Sequence, residues 1–164
     1  MSKAFTRESD ESGDDEIPSI RPSLPPGTTN YITREGVERL QRRLNDLLEK
    51  RESLIASSNA TEPDLRKLEA HIRALQQLLN SAVVAQPPPN LDKVAFGLIV
   101  RIRHPNGEEE SYRIVGVEEA SPGSGSISWL SPLARALISR KVGDRVRFRT
   151  PAGPQELTVL TIAF

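Results

Sequence analysis

Few residues in this chain could carry chemistry, and their spacing decides what kind. The two histidines, His71 and His104, stand far apart, one between apolar positions of a helical pattern and the other in a turn. Neither has a second histidine or a carboxylate at ligand spacing, so solvated or half-packed roles explain them. Serines crowd the stretch from Ser111 to Ser139, yet no Gly-x-Ser-x-Gly elbow presents one as a nucleophile. There is no cysteine, which removes disulfides, thiolate metal sites and thiol nucleophiles and suits a reducing cytoplasm. What remains are acids. Glu118 and Glu119 lie where a strand ends, as plain solvated acids or as a contact for a basic partner that sets on-rate and register. Glu62 and Asp64 open a helix, where orphan N–H groups and the helix dipole favour negative charge, so capping accounts for them without a ligand. Trp129, the single tryptophan, is either core or a partner's anchor.

These residues are positioned by a strand, a turn and a short helix. Tyr112, Ile114, Val115 and Val117 form a β-branched and aromatic run that gives way to turn residues at Gly116–Glu119 and Ser121–Ser126. At Ser131-Pro132 the serine can cap a helix and the proline fits its first turn. Leu133, Ala134, Ala136, Leu137 and Ile138 follow at helical spacing, and Gly143-Asp144 closes the element.

The 164-residue chain divides into four parts. Residues 1–29 are acidic (Glu8, Asp10, Glu11, Asp14, Asp15, Glu16) and broken by Pro18, Pro22, Pro25 and Pro26, the composition of a disordered tail. Residues 30–85 read as a helical hairpin. Thr33 is its N-cap, and Val37, Leu40, Leu44, Leu47, Arg51 and Leu54 recur at alternating spacings of three and four. Ser57–Thr61 ends that helix, and Thr61 with Asp64 forms an acidic capping box. Leu65, Leu68, Ile72, Leu75, Leu79 and Ala82 then restate the seam of an antiparallel coiled coil. Residues 86–93 are a proline-stiffened linker. Residues 94–164 read as a small antiparallel sheet with one inserted helix. A strand pair flanks His104-Pro105-Asn106-Gly107 and another flanks Pro151–Pro154, over a core of Val100, Ile102, Ile114, Val115, Leu133, Leu137, Val146, Phe148, Leu157, Val159 and Ile162. The fold class is α+β. No apolar run approaches the roughly 20 residues needed to cross a bilayer, and formal charge balances at zero. The whole-chain charge thus gives no reason to expect a nucleic-acid ligand.

The run from Val94 to Phe164 resembles the C-terminal domain of the bacterial transcript-cleavage factors GreA and GreB, and GreB more closely. The resemblance is carried by Phe96-Gly97, Arg113–Gly116, Ile127-Ser128, Ser131–Leu137, Val142–Asp144 and Thr150–Gly153, while Tyr31–Gly36 resembles the start of the family's coiled coil. It implies an FKBP-like domain that binds RNA polymerase through the β′ coiled coil at the rim of the secondary channel. The further expectation is a monomer without cofactor, without direct sequence-specific nucleic-acid contact and without membrane attachment. The implied polymerase-binding residues are Glu118, Glu119, Ser121, Ser128, Trp129, Ser131, Pro132 and Arg135.

One part of the family pattern is missing. The family's hairpin tip carries a Gly-Asp-Arg-Ser-Glu-Asn motif whose carboxylates help hold a catalytic magnesium in the polymerase, and nothing like it lies between Arg51 and Asp64. The hairpin also reads as about 20 residues shorter, a Rnk-like truncation that removes roughly 15 Å of reach at 1.5 Å per residue. The expectation is therefore a non-enzymatic transcription regulator that docks on polymerase without stimulating cleavage. The alternatives are an FKBP-type prolyl isomerase, suggested by fold alone, and a coiled-coil structural adaptor.

Overall fold

The computed structural model describes residues 24–57 and 61–164. Most of the acidic stretch expected over 1–29 lies outside these residues, as do Ser58, Asn59 and Ala60 at the hairpin tip. The described chain begins with a short strand, β1 (Asn30–Ile32), and the two helices α1 (Arg34–Ala56) and α2 (Glu62–Ser81), followed by β2 (Ala82–Val84).

Local chemistry starts each helix where the sequence predicts. Thr33 is extended at φ −76°, ψ 162°, and its hydroxyl accepts from the Gly36 N–H at 3.0 Å. Thr61 does the same for the Asp64 N–H at 3.4 Å, while its own hydroxyl donates to the Asp64 carboxylate. The seam is buried on the α2 side at Leu68, Ile72, Leu75 and Leu78. On α1, Val37, Leu40, Leu44, Leu47, Arg51 and Leu54 stay half-buried. Leu78 is buried where the heptad reading places Leu79, and Ala82 has left the helix. The cause is the turn to extended backbone at Ala82 (φ −70°, ψ 132°), after which Val83 and Val84 pair in parallel with Tyr31 and Ile32. Asn30 ties the helix end to this strand pair through Nδ2, which donates to Leu78 O at 3.4 Å and Ser81 Oγ at 3.1 Å.

The C-terminal half is a five-stranded sheet built from β3 (Ile99–Arg103), β4 (Glu109–Val115), β5 (Ser126–Ser128), β6 (Arg145–Thr150) and β7 (Gly153–Ala163), in the order β5-β4-β3-β7-β6. The two expected hairpins are present, β3–β4 around Gly107 (φ +89°) and β6–β7 around Pro151-Ala152. The sheet is mixed rather than wholly antiparallel: β5 runs parallel to β4, pairing Arg113, Ile114 and Val115 with Ser126, Ile127 and Ser128. Two successive 3-10 turns, Val117–Glu119 and Pro122–Ser124, bring the chain back beside β4 in the same direction, and a three-residue Ser-Ile-Ser strand gives no pattern by which to foresee it.

Helix α3 (Pro132–Leu137) is capped by Ser131, whose hydroxyl accepts from the Ala134 N–H at 3.1 Å. It ends well before Gly143. Ser139 takes φ +69°, and its N–H donates to Val94 O at 2.8 Å, which draws the chain off the helix axis. Ala134 and Leu137 sit fully buried on one face of the sheet among Val100, Ile102, Ile114, Val146, Leu157 and Val159. Leu133 and Phe148 from the expected core are only partly buried, and Val94, Leu98 and Ile127 join it. No helix among the described residues is long and apolar enough to cross a membrane.

Leu137→Ala should cost about 2–5 kcal/mol, read as a lower urea midpoint, because the sheet cannot close over the lost volume. An unchanged midpoint would mean that α3 is not part of the core.

Candidate functional site

Two of the candidate residues, Glu119 and Trp129, lie where the base of the hairpin meets the sheet domain. Beyond β4 the chain enters the turn Val117–Glu119, which points the Glu119 side chain back at the start of α1. Four donors converge on that carboxylate. They are the Thr33 N–H at 2.8 Å, the Thr33 hydroxyl, the Gly116 N–H at 3.1 Å and Arg39 Nη2 at 3.2 Å. The side chain keeps 2% of its surface exposed. Thr33 therefore works twice, capping α1 through its lone pair and donating its proton across the junction. A second ion pair, Arg113 Nη2 to Glu35 Oε1 at 3.2 Å, spans the same boundary. Hydrogen bonding from its own backbone and then from Arg113 holds the Glu35 carboxyl below its ordinary range.

This packing explains two glycines. A Cβ at Gly36 would stand 2.3 Å from Glu119 Oε1, and one at Gly116 would stand 2.3 Å from the Tyr31 carbonyl. Beside them Tyr31 meets Trp129 edge-on (centroids 5.4 Å, 70°) and tilts against Phe96 at 6.1 Å. These rings line a mainly apolar cleft of about 580 Å³ under the linker, and the Trp129 indole N–H is buried without a partner among the described residues.

The residues expected to bind a partner thus separate. Glu119 is an internal latch: it is enclosed by its own chain and cannot serve the surface contact assigned to it. Trp129 faces the hairpin base, half-buried. Ser128 Oγ accepts from the Leu130 N–H at 3.1 Å and Ser131 caps α3, so both shape the loop. Pro132 and Arg135 are exposed on α3, and Ser121 is exposed in the turn. Glu118 is half-buried, and burial pushes its carboxyl above the ordinary 4.5, with Arg43 of α1 pulling the other way. His104 is less isolated than its sequence neighbours suggest, since the β3–β4 pairing sets its Nε2 2.9 Å from Glu110 Oε2. Among the described residues, no group of three or more histidines and acids could hold a metal ion.

The latch was missed in the sequence although a signal existed. Glycine in the first turn of a helix costs about 1 kcal/mol against alanine, and nothing local repays Gly36 for standing there.

Glu119→Ala should cost about 1–3 kcal/mol by leaving the Thr33 and Gly116 donors without their acceptor, and should speed amide exchange at both; protection equal to that of the native chain would contradict the latch. Glu118 carries the opposite sign. With its folded pKa raised, the native state binds more protons in the window just above 4.5, and stability falls as pH rises through it. Glu118→Gln should therefore be more stable than the native chain at pH 7 and no different below pH 4, and equal denaturation midpoints at both would refute this.

Comparison with known proteins finds relatives of one family. Residues 88–164 match the family described as transcription elongation factor, GreA/GreB, C-term. The chain is 33% identical over 155 residues to the transcription elongation factor GreB of Neisseria meningitidis serogroup B, which covers 84% of this chain and 95% of that protein. It is 34% identical over 149 residues to the transcription elongation factor GreA of Geobacillus kaustophilus, with 80% and 94% covered. Because 84% of 164 residues is fewer than the 155 compared, the chain lacks residues that this GreB has. Among solved structures, GreA factor homolog 1 (Gfh1) of Thermus thermophilus is 26% identical, with 84% of this chain and 100% of that one covered at a TM-score of 0.41.

Proposed function

Because this chain belongs to the GreA/GreB family of transcription elongation factors, we propose that it is an RNA polymerase-binding regulator that acts at the secondary channel without stimulating transcript cleavage. The observation that carries this reading is the hairpin. Its helices have 23 and 20 residues, which at 1.5 Å per residue amounts to arms of about 34 and 30 Å.

The two acids that open α2 are engaged locally, Glu62 with Arg66 at 2.8 Å and Asp64 with the Thr61 hydroxyl. Magnesium accepts oxygen ligands at about 2.0 to 2.1 Å, so a carboxylate stopping roughly 15 Å short supplies neither a ligand nor an unscreened field. The protein is then not an enzyme. It occupies the channel entrance, in the cytoplasm where polymerase works, as a monomer and without a cofactor.

Docking uses the outward-facing part of the loop and α3: Glu118, Ser121, Pro132 and Arg135, on a surface shaped by Ser128, Trp129 and Ser131. Its partner is the β′ coiled coil at the rim of the channel. Glu119 contributes indirectly, by fixing the angle at which the hairpin leaves the docked domain. The prolyl isomerase alternative has less behind it, because it rests on fold alone.

Two measurements test the proposal together. Core RNA polymerase should retain the protein, and a backtracked elongation complex should be cleaved no faster with it than without. Accelerated cleavage would overturn the truncated-arm reading, and no retention would overturn the family role. Glu118→Arg combined with Arg135→Glu should weaken retention at least tenfold, and unchanged affinity would remove this face from the contact.

A further inference from the structure

The sheet presents its other face to solvent, and that face is basic. Strand alternation turns Arg101 and Arg103 of β3, and Arg145, Arg147 and Arg149 of β6, away from the core. Register aligns them across the intervening strand β7, with Arg103 and Arg145 both opposite Thr158. Two carboxylates share the face. Glu109 pairs with Arg101 at 2.6 Å and Arg103 at 2.7 Å, and Glu156 pairs with Arg147 at 2.9 Å and Arg145 at 3.7 Å. Each carboxylate is thus divided between two guanidinium groups, and Arg149 has no acidic partner among the described residues. Five arginines against two glutamates leave a surplus of three positive charges. The arginines in the pairs remain 52–83% exposed. Hydrogen bonding from Arg103 holds Glu109, and from Arg147 holds Glu156, below the ordinary carboxylate range, so both acids are ionised at neutral pH and the surplus is constant.

We propose that this arginine face is a sequence-independent contact for the phosphate backbone of nucleic acid. Its composition selects that partner over an acidic protein surface. A protein interface needs a desolvated apolar or aromatic centre, whereas the other positions paired with these arginines are Ser111, Thr158, Thr161 and, beside the β6–β7 turn, the single apolar Pro154. Phosphate recognition needs only fixed cations. Arginine's planar fork suits it, and the shared carboxylates hold four of the five forks in place before any ligand arrives. No aromatic ring stands among the positions paired with these arginines to stack on a base, which leaves the backbone as the part of a nucleic acid that can be read. The whole-chain charge of zero conceals this surface, because acids at 8–16 offset it in the sum. The contact is separate from the docking face on α3, so polymerase retention and nucleic-acid binding can fail independently.

The test is fluorescence anisotropy of a labelled mixed-sequence DNA duplex titrated with the full-length chain. Three surplus charges give a slope of about −2.7 in log K against log salt, a loss of about 40-fold between 50 and 200 mM. Replacing Arg145, Arg147 and Arg149 with alanine brings the face to neutrality and should abolish both binding and salt dependence. Replacing the same three with lysine should retain the slope. A flat salt dependence in the native chain would overturn the proposal without reference to any variant. So would DNA binding undiminished in the alanine variant, or no DNA binding by a chain whose arginine face instead captures poly-glutamate.

Discussion

One buried carboxylate sets the geometry of this molecule. Glu119 leaves the sheet domain, enters the junction with the hairpin and is satisfied there by the donors that begin α1. A buried charge without partners would be costly, and a helix start without acceptors would leave orphan N–H groups. Each feature answers the other's need, so the two halves of the protein are joined by a polar contact with little freedom of geometry. Gly36 and Gly116 follow from the same constraint, because a side chain at either would occupy space held by the carboxylate or by the Tyr31 carbonyl. The parallel strands β1 and β2 and the Tyr31–Trp129 contact fill out the junction.

With the angle fixed, function becomes a matter of length and surface. Beyond its base the hairpin packs only across its own seam, which is why it is an arm rather than a core. The sheet domain divides its labour by face. One side is closed by α3, the loop and α3 supply a mixed polar surface beside the junction, and the far side presents arginines held by shared glutamates. On the proposed reading, this arm and the face on α3 let the protein fill a channel entrance without reaching the catalytic centre beyond it.

Much of this was readable from residue order. Thr33, Thr61 and Ser131 announce their helices because capping is a local event. The β3–β4 and β6–β7 hairpins declare themselves through Asn106-Gly107 and Pro151-Ala152, and the alternating strands name most of the core. What escaped was non-local. Leu78 replaces Leu79 in the seam because the helix stops to let Val83 and Val84 pair with a strand fifty residues earlier. Strand β5 is too short to have a pattern of its own. Glu119 looks like any acid at a strand end until the fold brings Thr33, Gly36 and Arg39 around it. The arginine face is likewise invisible in a charge total, since it exists only when β3 and β6 are laid on either side of β7.

The most direct measurement is an electron-microscopy reconstruction of the protein bound to core RNA polymerase. The account predicts the α3 face against the channel rim, the junction at Glu119 intact, and the ends of the helices at Ser57 and Thr61 stopping roughly 15 Å from the catalytic magnesium. A reconstruction with Glu62 or Asp64 among the magnesium ligands, or with the protein seated away from the channel, would contradict it.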